Sequence, residues 1–177
     1  VPGASQRLDS LKYDSMRRLD SLPLIGHGRR LRREQLSGPH IGWLSTRAGD
    51  IRFLHQPHDS GPRLLFATDG PNVLEHYSEL LDALHGLADV VVYEPPGTGG
   101  AAPSASFGFR CEDFAENAAE VLEHFGPRTL VFPCYMSFVA GYLAREAPDG
   151  ISAIVLPQGP SWAQMHRWLD RVDPKRV

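Results

Sequence analysis

From residue 63 onward, apolar side chains recur with two different spacings. Segments with one spacing alternate with segments that have the other. Short apolar runs have the length of buried strands, and the stretches between them repeat apolar residues every three or four positions, as amphipathic helices do. Four strands, each followed by a helix, predict a parallel sheet with helices on both faces. The predicted strands are residues 63–67, 88–93, 129–132 and 151–156, and the predicted helices are residues 72–86, 112–124, 135–147 and 161–172.

An alternating pattern precedes these elements and predicts a pair of antiparallel strands. Apolar and polar residues alternate over residues 42–46 and again over residues 50–55, with a turn sequence between them. This pattern is typical of a β-hairpin. The predicted fold class is therefore α/β, with a mostly parallel, doubly wound sheet and an N-terminal antiparallel hairpin. Asn72 is the predicted cap of the first helix after the hairpin.

The first forty residues lack this alternation and predict a separate N-terminal segment. The sequence Arg-Leu-Asp-Ser-Leu occurs at residues 7–11 and again at residues 18–22, and this spacing places four leucines on one stripe of a helix. The Gly- and Arg-rich stretch that follows predicts a connector. We therefore divide the chain into an N-terminal helix and connector, residues 1–40, and an α/β domain, residues 41–177. The helix either packs on its own domain or docks on a partner.

Composition and charge exclude several classes of partner. The chain of 177 residues has 42% hydrophobic and 22% charged residues, which is typical of a globular domain. Its net charge of -3 gives no general attraction to nucleic acid or an anionic membrane, and no apolar run approaches the roughly 20 residues that span a bilayer. The two cysteines, Cys111 and Cys134, do not make a disulfide framework. These features predict a cytoplasmic protein with no nucleic-acid partner and no membrane association.

One pair of histidines has the spacing of metal ligands. His55 and His58 form an H-x-x-H pair, but they flank a proline-containing turn, and the neighbouring sequence offers no third ligand. Histidines in this setting are usually surface residues. The sequence therefore predicts no metal site and no cofactor.

The segment from Thr129 to Pro148 is the most informative stretch of the chain. An apolar strand turns sharply at Pro133 and Cys134 and continues into a helix, so that Cys134 lies at the tip of the bend. In this geometry the residue at the tip projects from the edge of the sheet, and the first N–H groups of the helix face a bound group. Cys134 is therefore the candidate nucleophile. The alternative is that it is a small apolar side chain, as most buried cysteines are.

Three motifs and the hairpin match one known family in their order along the chain. Asp69-Gly70 follows a strand, at the place of a His-Gly pair. Residues 94–100 match a D-x-x-G-x-G loop with Glu94 in place of Asp, and residues 132–136 stand in the register of a G-x-S-x-G motif. From about residue 42 onward the chain thus resembles the α/β-hydrolase superfamily. The resemblance implies an α/β-hydrolase-like fold that lacks the C-terminal strands.

The resemblance implies that the bend carries the nucleophile. Cys134 fits this role because Pro148 follows it at the distance usual in the family, whereas Ser137 lies about one helical turn too close. The family has small residues two positions before and two after the nucleophile. Phe132 and Met136 stand there in this chain, so a wider turn or a displaced backbone is expected.

The resemblance also implies an oxyanion hole built from two backbone N–H groups. One belongs to Tyr135, and the other comes from the loop that begins at Asp69 and Gly70. At the expected position in this loop Pro71 has no N–H to donate, and loss of one donor costs about 3 to 4 kcal/mol of transition-state stabilisation. Asn72 substitutes for it only if the loop rearranges. These four loop residues and Tyr135 are the expected pocket residues.

The resemblance leaves two functions open, with a third that is weaker. The first is hydrolysis or transfer of an acyl group from an ester, thioester or amide, with Cys134 as nucleophile. The second is a catalytically inactive pseudo-hydrolase that serves as a binding or interaction module. The third is a lyase or cyclisation reaction in which Asp69, Tyr135 and Glu94 carry protons. The acid and base stay unassigned, since none of the later candidates matches the family's positions; these are Asp170, Asp173 and His166.

The partner is accordingly either a small-molecule acyl substrate or a protein. A sheet ending at residues 151–156 exposes an apolar edge, and natural proteins cover such edges. We therefore expect a homodimer that completes the sheet, a separate complementary chain, or a longer natural protein.

Overall fold

A computed structural model describes residues 40–70, 72–146 and 148–159, together with residues 163, 164 and 167. The predicted N-terminal helix and connector therefore lie outside the described residues, and so do Pro71 and most of the last predicted helix. His166, Asp170 and Asp173 lie outside them as well. The division of the chain at residue 40 remains a prediction.

The described strands form one mixed sheet of seven strands. Its order is β1-β2-β4-β3-β6-β7, and the short β5 pairs with β2 off this path. The pairs β1–β2 and β2–β4 are antiparallel, whereas β4–β3, β3–β6 and β6–β7 are parallel. The predicted fold class is thus confirmed, and only β5 was not expected. The strands are β1 (His40–Thr46), β2 (Gly49–Gln56), β3 (Arg63–Ala67), β4 (Asp89–Tyr93), β5 (Ala102–Pro103), β6 (Arg128–Val131) and β7 (Ile151–Val155).

The helices follow the strands as predicted, with one difference at the start of the first. A 3₁₀ turn (Leu74–Tyr77) leads into α1 (Ser78–Leu84), and α2 (Cys111–Phe125) and α3 (Met136–Glu146) follow. The prediction that Asn72 caps the first helix is wrong, because Val73 holds the cap position and makes no side-chain cap hydrogen bond. The side chain of Asn72 instead contacts the His76 ring, with Oδ1 3.1 Å from Nδ1.

Each face of the sheet is buried by its own set of helices. Consecutive residues of the central strands point to opposite faces, so Leu65 belongs to one core cluster and Phe66 to the other. The first cluster includes apolar residues of α2 and α3, and the second includes Leu74 and Leu81 from the 3₁₀ turn and α1. The central strands are therefore covered on both sides, which explains why β4 reads as an uninterrupted apolar run.

The amino-terminal edge of the parallel strands carries a paired carboxylate. Asp89, the first residue of β4, accepts hydrogen bonds from Arg128 Nη1 at 2.8 Å and Nη2 at 3.3 Å, and it lies 2.9 Å from His55 Nε2. Burial acts to raise the pKa of Asp89, but Arg128 and His55 outweigh it, and the net pKa is lowered. This network holds β2, β4 and β6 together at one end.

The two histidines with metal-ligand spacing have structural partners. His55 contacts Asp89, and His58 Nδ1 accepts hydrogen bonds from the N–H groups of Ser60 at 3.3 Å and Gly61 at 2.8 Å. Among the residues that the structure describes, no three His, Cys, Asp or Glu side chains form a group able to hold a metal ion.

The strand β7 is the last in the sheet order and is only partly covered. It pairs with β6, and Val155 has 49% of its surface exposed. No helix within the described ranges has the length and apolar character needed to cross a bilayer.

Candidate active site at the carboxyl edge of the sheet

The bend between β6 and α3 has the geometry of a nucleophile elbow. Cys134 is exposed and has φ of +48°, a conformation that few residues other than glycine adopt. The turn is closed by Ser137, whose N–H and Oγ both donate to the Cys134 carbonyl oxygen, at 3.1 and 2.6 Å. The backbone therefore presents the Cys134 side chain at the carboxyl edge of the sheet, as the sequence predicted.

The two bulky residues of the motif lie beneath the bend and not in it. Phe132 and Met136 are fully buried in the core cluster shared with α2 and α3, and the Phe132 ring centroid lies 6.2 Å from that of Tyr93. Cys134 keeps a positive φ above them. The core therefore holds both side chains, and the expected widening of the turn remains a prediction.

Tyr135 follows the candidate nucleophile and joins it to the core. Its N–H donates no hydrogen bond within the described part of the chain, and its ring packs 5.8 Å from that of Phe114. Burial, together with the charges of Asp69 and Cys134, raises the pKa of Tyr135 to about 12. At neutral pH the hydroxyl of Tyr135 is therefore protonated. Its backbone N–H, which has no acceptor among the described residues, is available to a bound group.

Asp69 reaches the same place from the neighbouring strand. The parallel pairing of β3 and β6 aligns Phe66 with Val131. Asp69 and Cys134 each lie three residues beyond this last aligned pair, in the segments that follow the two strands. Neighbouring strands lie about 4.8 Å apart. The carboxylate of Asp69 is half-buried and makes no ion pair with any described residue.

The N–H of Asn72, the expected substitute donor for the oxyanion hole, is hydrogen-bonded within the loop after Asp69. The N–H of Asn72 donates to the Asp69 carbonyl oxygen at 2.9 Å, and Gly70 between them has φ of +50°. Asn72 is thus already engaged in closing this turn, and Pro71 lies outside the described residues. In this arrangement the N–H of Asn72 does not substitute for a missing donor.

Glu94 is part of the scaffold beneath the site. Its carboxylate is fully buried, accepts from the N–H groups of Leu74 at 3.1 Å and Gly100 at 2.7 Å, and lies 3.2 Å from Arg52 Nη1. Arg52 also pairs with Glu75. Burial raises the pKa of Glu94, although Arg52 and the two N–H groups act in the opposite direction. Glu94 thus has structural partners, and a role for it in carrying protons to a substrate remains a prediction.

Two further tyrosines at this edge were missed by sequence reasoning. Tyr77 donates to the Ala67 carbonyl oxygen at 3.4 Å, and burial together with the charge of Asp69 raises its pKa. Tyr93 ends β4, and its fully buried hydroxyl has no hydrogen-bond partner in the described structure. Its pKa is raised well above the usual value by burial and by Tyr135. The available signal was a tyrosine as the last residue of an apolar strand.

An aromatic row extends from the bend across the loop that precedes α2. Phe114 contacts Phe107 with ring centroids 5.0 Å apart, and Phe107 contacts Phe109 at 4.9 Å. Phe109 is 58% exposed and lies over Gly97, where an added Cβ would come within 2.7 Å of its ring. Tyr135 closes the row beside Cys134. The aromatic row thus ends at the residue that follows the candidate nucleophile.

Comparisons with known proteins agree with this geometry. No family model and no curated protein matched the sequence. Solved structures did match. A candidate lipase from Acinetobacter baumannii is 17% identical with a TM-score of 0.64, covering 75% of this chain and 46% of that protein. The carboxylesterase CesB from Bacillus subtilis is 17% identical with a TM-score of 0.61, covering 88% and 51%. An epoxide hydrolase from an endophytic Streptomyces is 23% identical with a TM-score of 0.59, covering 68% and 37%.

The chain spans about half the length, or less, of these matching structures. Its mixed, mostly parallel sheet with an antiparallel hairpin nevertheless matches the same architecture. The protein has the α/β-hydrolase fold, as the sequence motifs predicted.

Proposed function

We propose that the protein transfers or hydrolyses an acyl group of an ester or thioester, with Cys134 as the nucleophile. The observation that carries the proposal is the exposed Cys134 with φ of +48° between β6 and α3. A non-glycine residue in this conformation is costly, by about 1–3 kcal/mol, and such strain is found most often at functional sites. The bend is the position at which this fold usually carries its nucleophile, which supports Cys134 in that role.

The neighbouring backbone supports the same chemistry. The N–H of Tyr135 makes no hydrogen bond within the described residues and lies at the start of α3, where it is a suitable donor to an oxyanion. In the loop opposite, Asn72 donates to Asp69, which leaves the N–H of Gly70 as the candidate for a second donor. Both donors belong to residues next to the strand ends that meet at Asp69 and Cys134.

The reaction consists of two acyl transfers. The thiolate of Cys134 attacks the carbonyl carbon, the carbonyl electrons move to oxygen, and the oxyanion is held by the Tyr135 N–H. Collapse of this intermediate breaks the bond to the leaving alcohol or thiol, which takes up a proton. Water then attacks the enzyme thioester, releasing the carboxylic acid and returning the thiol of Cys134.

The base that takes the proton of Cys134 lies outside the described residues in this proposal. No described histidine hydrogen-bonds the Cys134 thiol, and the chain spans about half of the matching structures. The candidate lipase and the carboxylesterase are named for ester hydrolysis, which is the reaction class proposed here.

A second candidate is a binding module that has lost catalysis. It is favoured by Asp69, since a carboxylate next to the nucleophile opposes the build-up of negative charge on a substrate oxygen. The absence of an N–H at Pro71 points the same way. Under this hypothesis the site at the carboxyl edge still binds a ligand or a protein partner, but Cys134 forms no covalent intermediate.

The test is thiol labelling combined with turnover of an activated thioester. We expect iodoacetamide at neutral pH to modify Cys134 and not Cys111, because burial and the charge of Glu112 raise the pKa of Cys111 to about 11. Mass spectrometry locates the modification. Cys134→Ala should abolish thioester turnover, and Cys111→Ala should retain it.

Each outcome separates the two candidates. Turnover that survives in Cys134→Ala would exclude nucleophilic catalysis by this residue. If the wild-type chain labels at Cys134 but shows no turnover, and a ligand still binds to Cys134→Ala, the binding module is the correct function. Ser137→Ala is a control for the elbow itself, because it removes the Oγ hydrogen bond to the Cys134 carbonyl oxygen and keeps the one from the Ser137 N–H.

A further inference from the structure

Asp69 differs from the buried carboxylates of Asp89 and Glu94, because no described cation pairs with it. Asp89 pairs with Arg128, and Glu94 pairs with Arg52. The carboxylate of Asp69 makes neither an ion pair nor a side-chain hydrogen bond with any described residue. A half-buried carboxylate in this position is available to a positively charged ligand.

Two tyrosines flank this carboxylate. The hydroxyl of Tyr77 donates a hydrogen bond to the carbonyl oxygen of Ala67, which lies two residues before Asp69. Tyr135 follows Cys134 in the segment after β6, the strand that pairs with β3. The charge of Asp69 contributes to the raised pKa of both tyrosines. Both are therefore neutral at physiological pH, and neither supplies the missing positive charge. Their rings offer π faces, which attract organic cations.

The charge of Asp69 conflicts with acyl transfer unless something neutralises it. An oxyanion held by the Tyr135 N–H would develop close to the Asp69 carboxylate, because Asp69 and Tyr135 follow the paired strands β3 and β6. Two negative charges at such a distance repel each other strongly in a partly buried site. A cation on the substrate, placed between them, removes this penalty for that substrate alone.

We propose that Asp69, together with the rings of Tyr77 and Tyr135, binds an ammonium group on the acyl part of the substrate. Asp69 and Cys134 follow the ends of the paired strands β3 and β6, so we place the ammonium on the acyl carbons next to the carbonyl. The preferred substrates are thus aminoacyl esters or thioesters. This substrate preference rests on the proposed function, whereas ammonium binding does not require Cys134 to react.

A metal ion is not the ligand that these side chains suit. A single carboxylate with two neutral tyrosines lacks the several oxygen or nitrogen donors that metal sites use. The described residues contain no group of three potential ligands at this edge or elsewhere. A carboxylate with aromatic faces is instead typical of ammonium recognition.

The binding test uses the Cys134→Ala protein, in which no covalent step occurs. L-alaninamide carries the ammonium group, and propionamide is its neutral analogue. We expect nuclear magnetic resonance titration to show shifts of the Gly70 and Tyr135 amides, with alaninamide binding about tenfold more tightly than propionamide. Adding Asp69→Asn should remove this preference, and adding Asp82→Asn, an exposed change on α1, should leave it intact. Equal affinities, or a preference that survives Asp69→Asn, would overturn the ammonium site.

The kinetic test compares thiophenyl esters of L-alanine and propionic acid at about pH 6, where an α-amino group is protonated. We expect kcat/KM to favour the alanine ester about tenfold in the wild type, and Asp69→Asn to abolish the preference chiefly by improving the propionyl ester. If neither ester is turned over but alaninamide still binds selectively, the proposed acyl transfer fails and the ammonium site stands. Turnover without a preference for the alanine ester would overturn the ammonium site and leave the acyl transfer.

Discussion

Asp89 and Asp69 lie at opposite edges of one sheet, on strands that pair with each other, and their surroundings differ in almost every respect. Asp89 begins β4 and is held by Arg128 and His55. Asp69 follows β3 and has no ion pair within the described residues. The same side chain thus serves the fold at the amino edge, whereas at the carboxyl edge no described residue pairs with it. Our proposals place stability at one end of the strands and ligand binding at the other, as in other open parallel sheets.

The largest expected loss of stability follows from removing Arg128, the cation that pairs with Asp89 at the amino edge. Arg128→Leu leaves the Asp89 carboxylate buried with His55 as its remaining close partner, and breaking a buried pair costs about 3–5 kcal/mol. Urea denaturation followed by circular dichroism measures this loss. Arg63→Leu is the matched control, because Arg63 is half exposed and lies 3.9 Å from Asp89, and it should cost less than about 1 kcal/mol. Equal costs for the two variants would contradict the structural role of the buried pair.

A smaller loss of stability is expected for a substitution at Gly99, which lies against the buried carboxylate of Glu94. Gly99 has φ of +50°, and an added Cβ would lie 2.2 Å from the carboxyl carbon of Glu94. Gly99→Ala should therefore cost about 2–3 kcal/mol, from backbone strain together with displacement of the buried carboxylate. Gly86→Ala separates the two contributions, because Gly86 also has a positive φ but nothing within 4 Å of an added Cβ. We expect it to cost about 1 kcal/mol in the same denaturation experiment. A Gly99→Ala variant as stable as Gly86→Ala would show that Glu94 is free to move.

The contrast also predicts a pH dependence. The pKa of Asp89 is lower in the folded chain than in the unfolded chain, so its stabilising contribution is present above the unfolded pKa of about 3.9. This contribution is lost as the pH falls through the lower, folded value. The free energy of unfolding of the wild type should therefore fall more steeply below about pH 4 than that of Asp89→Asn. Asp113, whose pKa is also lowered, titrates in the same range in both proteins. Parallel curves would show that the Asp89 network does not contribute.

The smallest effect on stability is expected for Asp69→Asn. Because no ion pair of the described structure involves Asp69, its removal should change the free energy of unfolding by less than about 0.5 kcal/mol. Denaturation of the two proteins side by side measures this difference. A loss above about 2 kcal/mol would place Asp69 with Asp89 as part of the scaffold, and the comparison between the two edges would fail.

The fold was predictable because its signals are local. Apolar runs of strand length alternate with helical spacing, and this alone gave the parallel sheet, its two covered faces and the antiparallel hairpin. The bend at Cys134 was predictable for the same reason, since strand, turn and helix are contiguous in the sequence. Asn72 shows the limit of this approach. It suits a helix cap by residue type, but its N–H closes a turn with Asp69 and its side chain contacts His76.

The candidate site was less predictable because its residues come from separate parts of the chain. Tyr77, Tyr93 and Asp69 come to the same end of the sheet as Cys134 only through strand pairing, and no local spacing reports that pairing. Glu94 looked like a titratable site residue, but its partner Arg52 lies 42 positions earlier in an alternating strand. The same holds for Phe132, whose side chain is buried in a core built from separate parts of the chain.

The position of β7 at the end of the sheet order has a consequence for amide hydrogen exchange. Within the described residues β7 is hydrogen-bonded to β6 on one side only. Its outward amides, in alternate positions, should exchange with solvent deuterium quickly, whereas amides of the doubly paired β3 should be protected up to global unfolding. A second copy or another strand bound along β7 would slow those outward amides selectively. Exchange rates along Ile151–Val155 therefore report directly on whether this edge of the sheet is paired in solution.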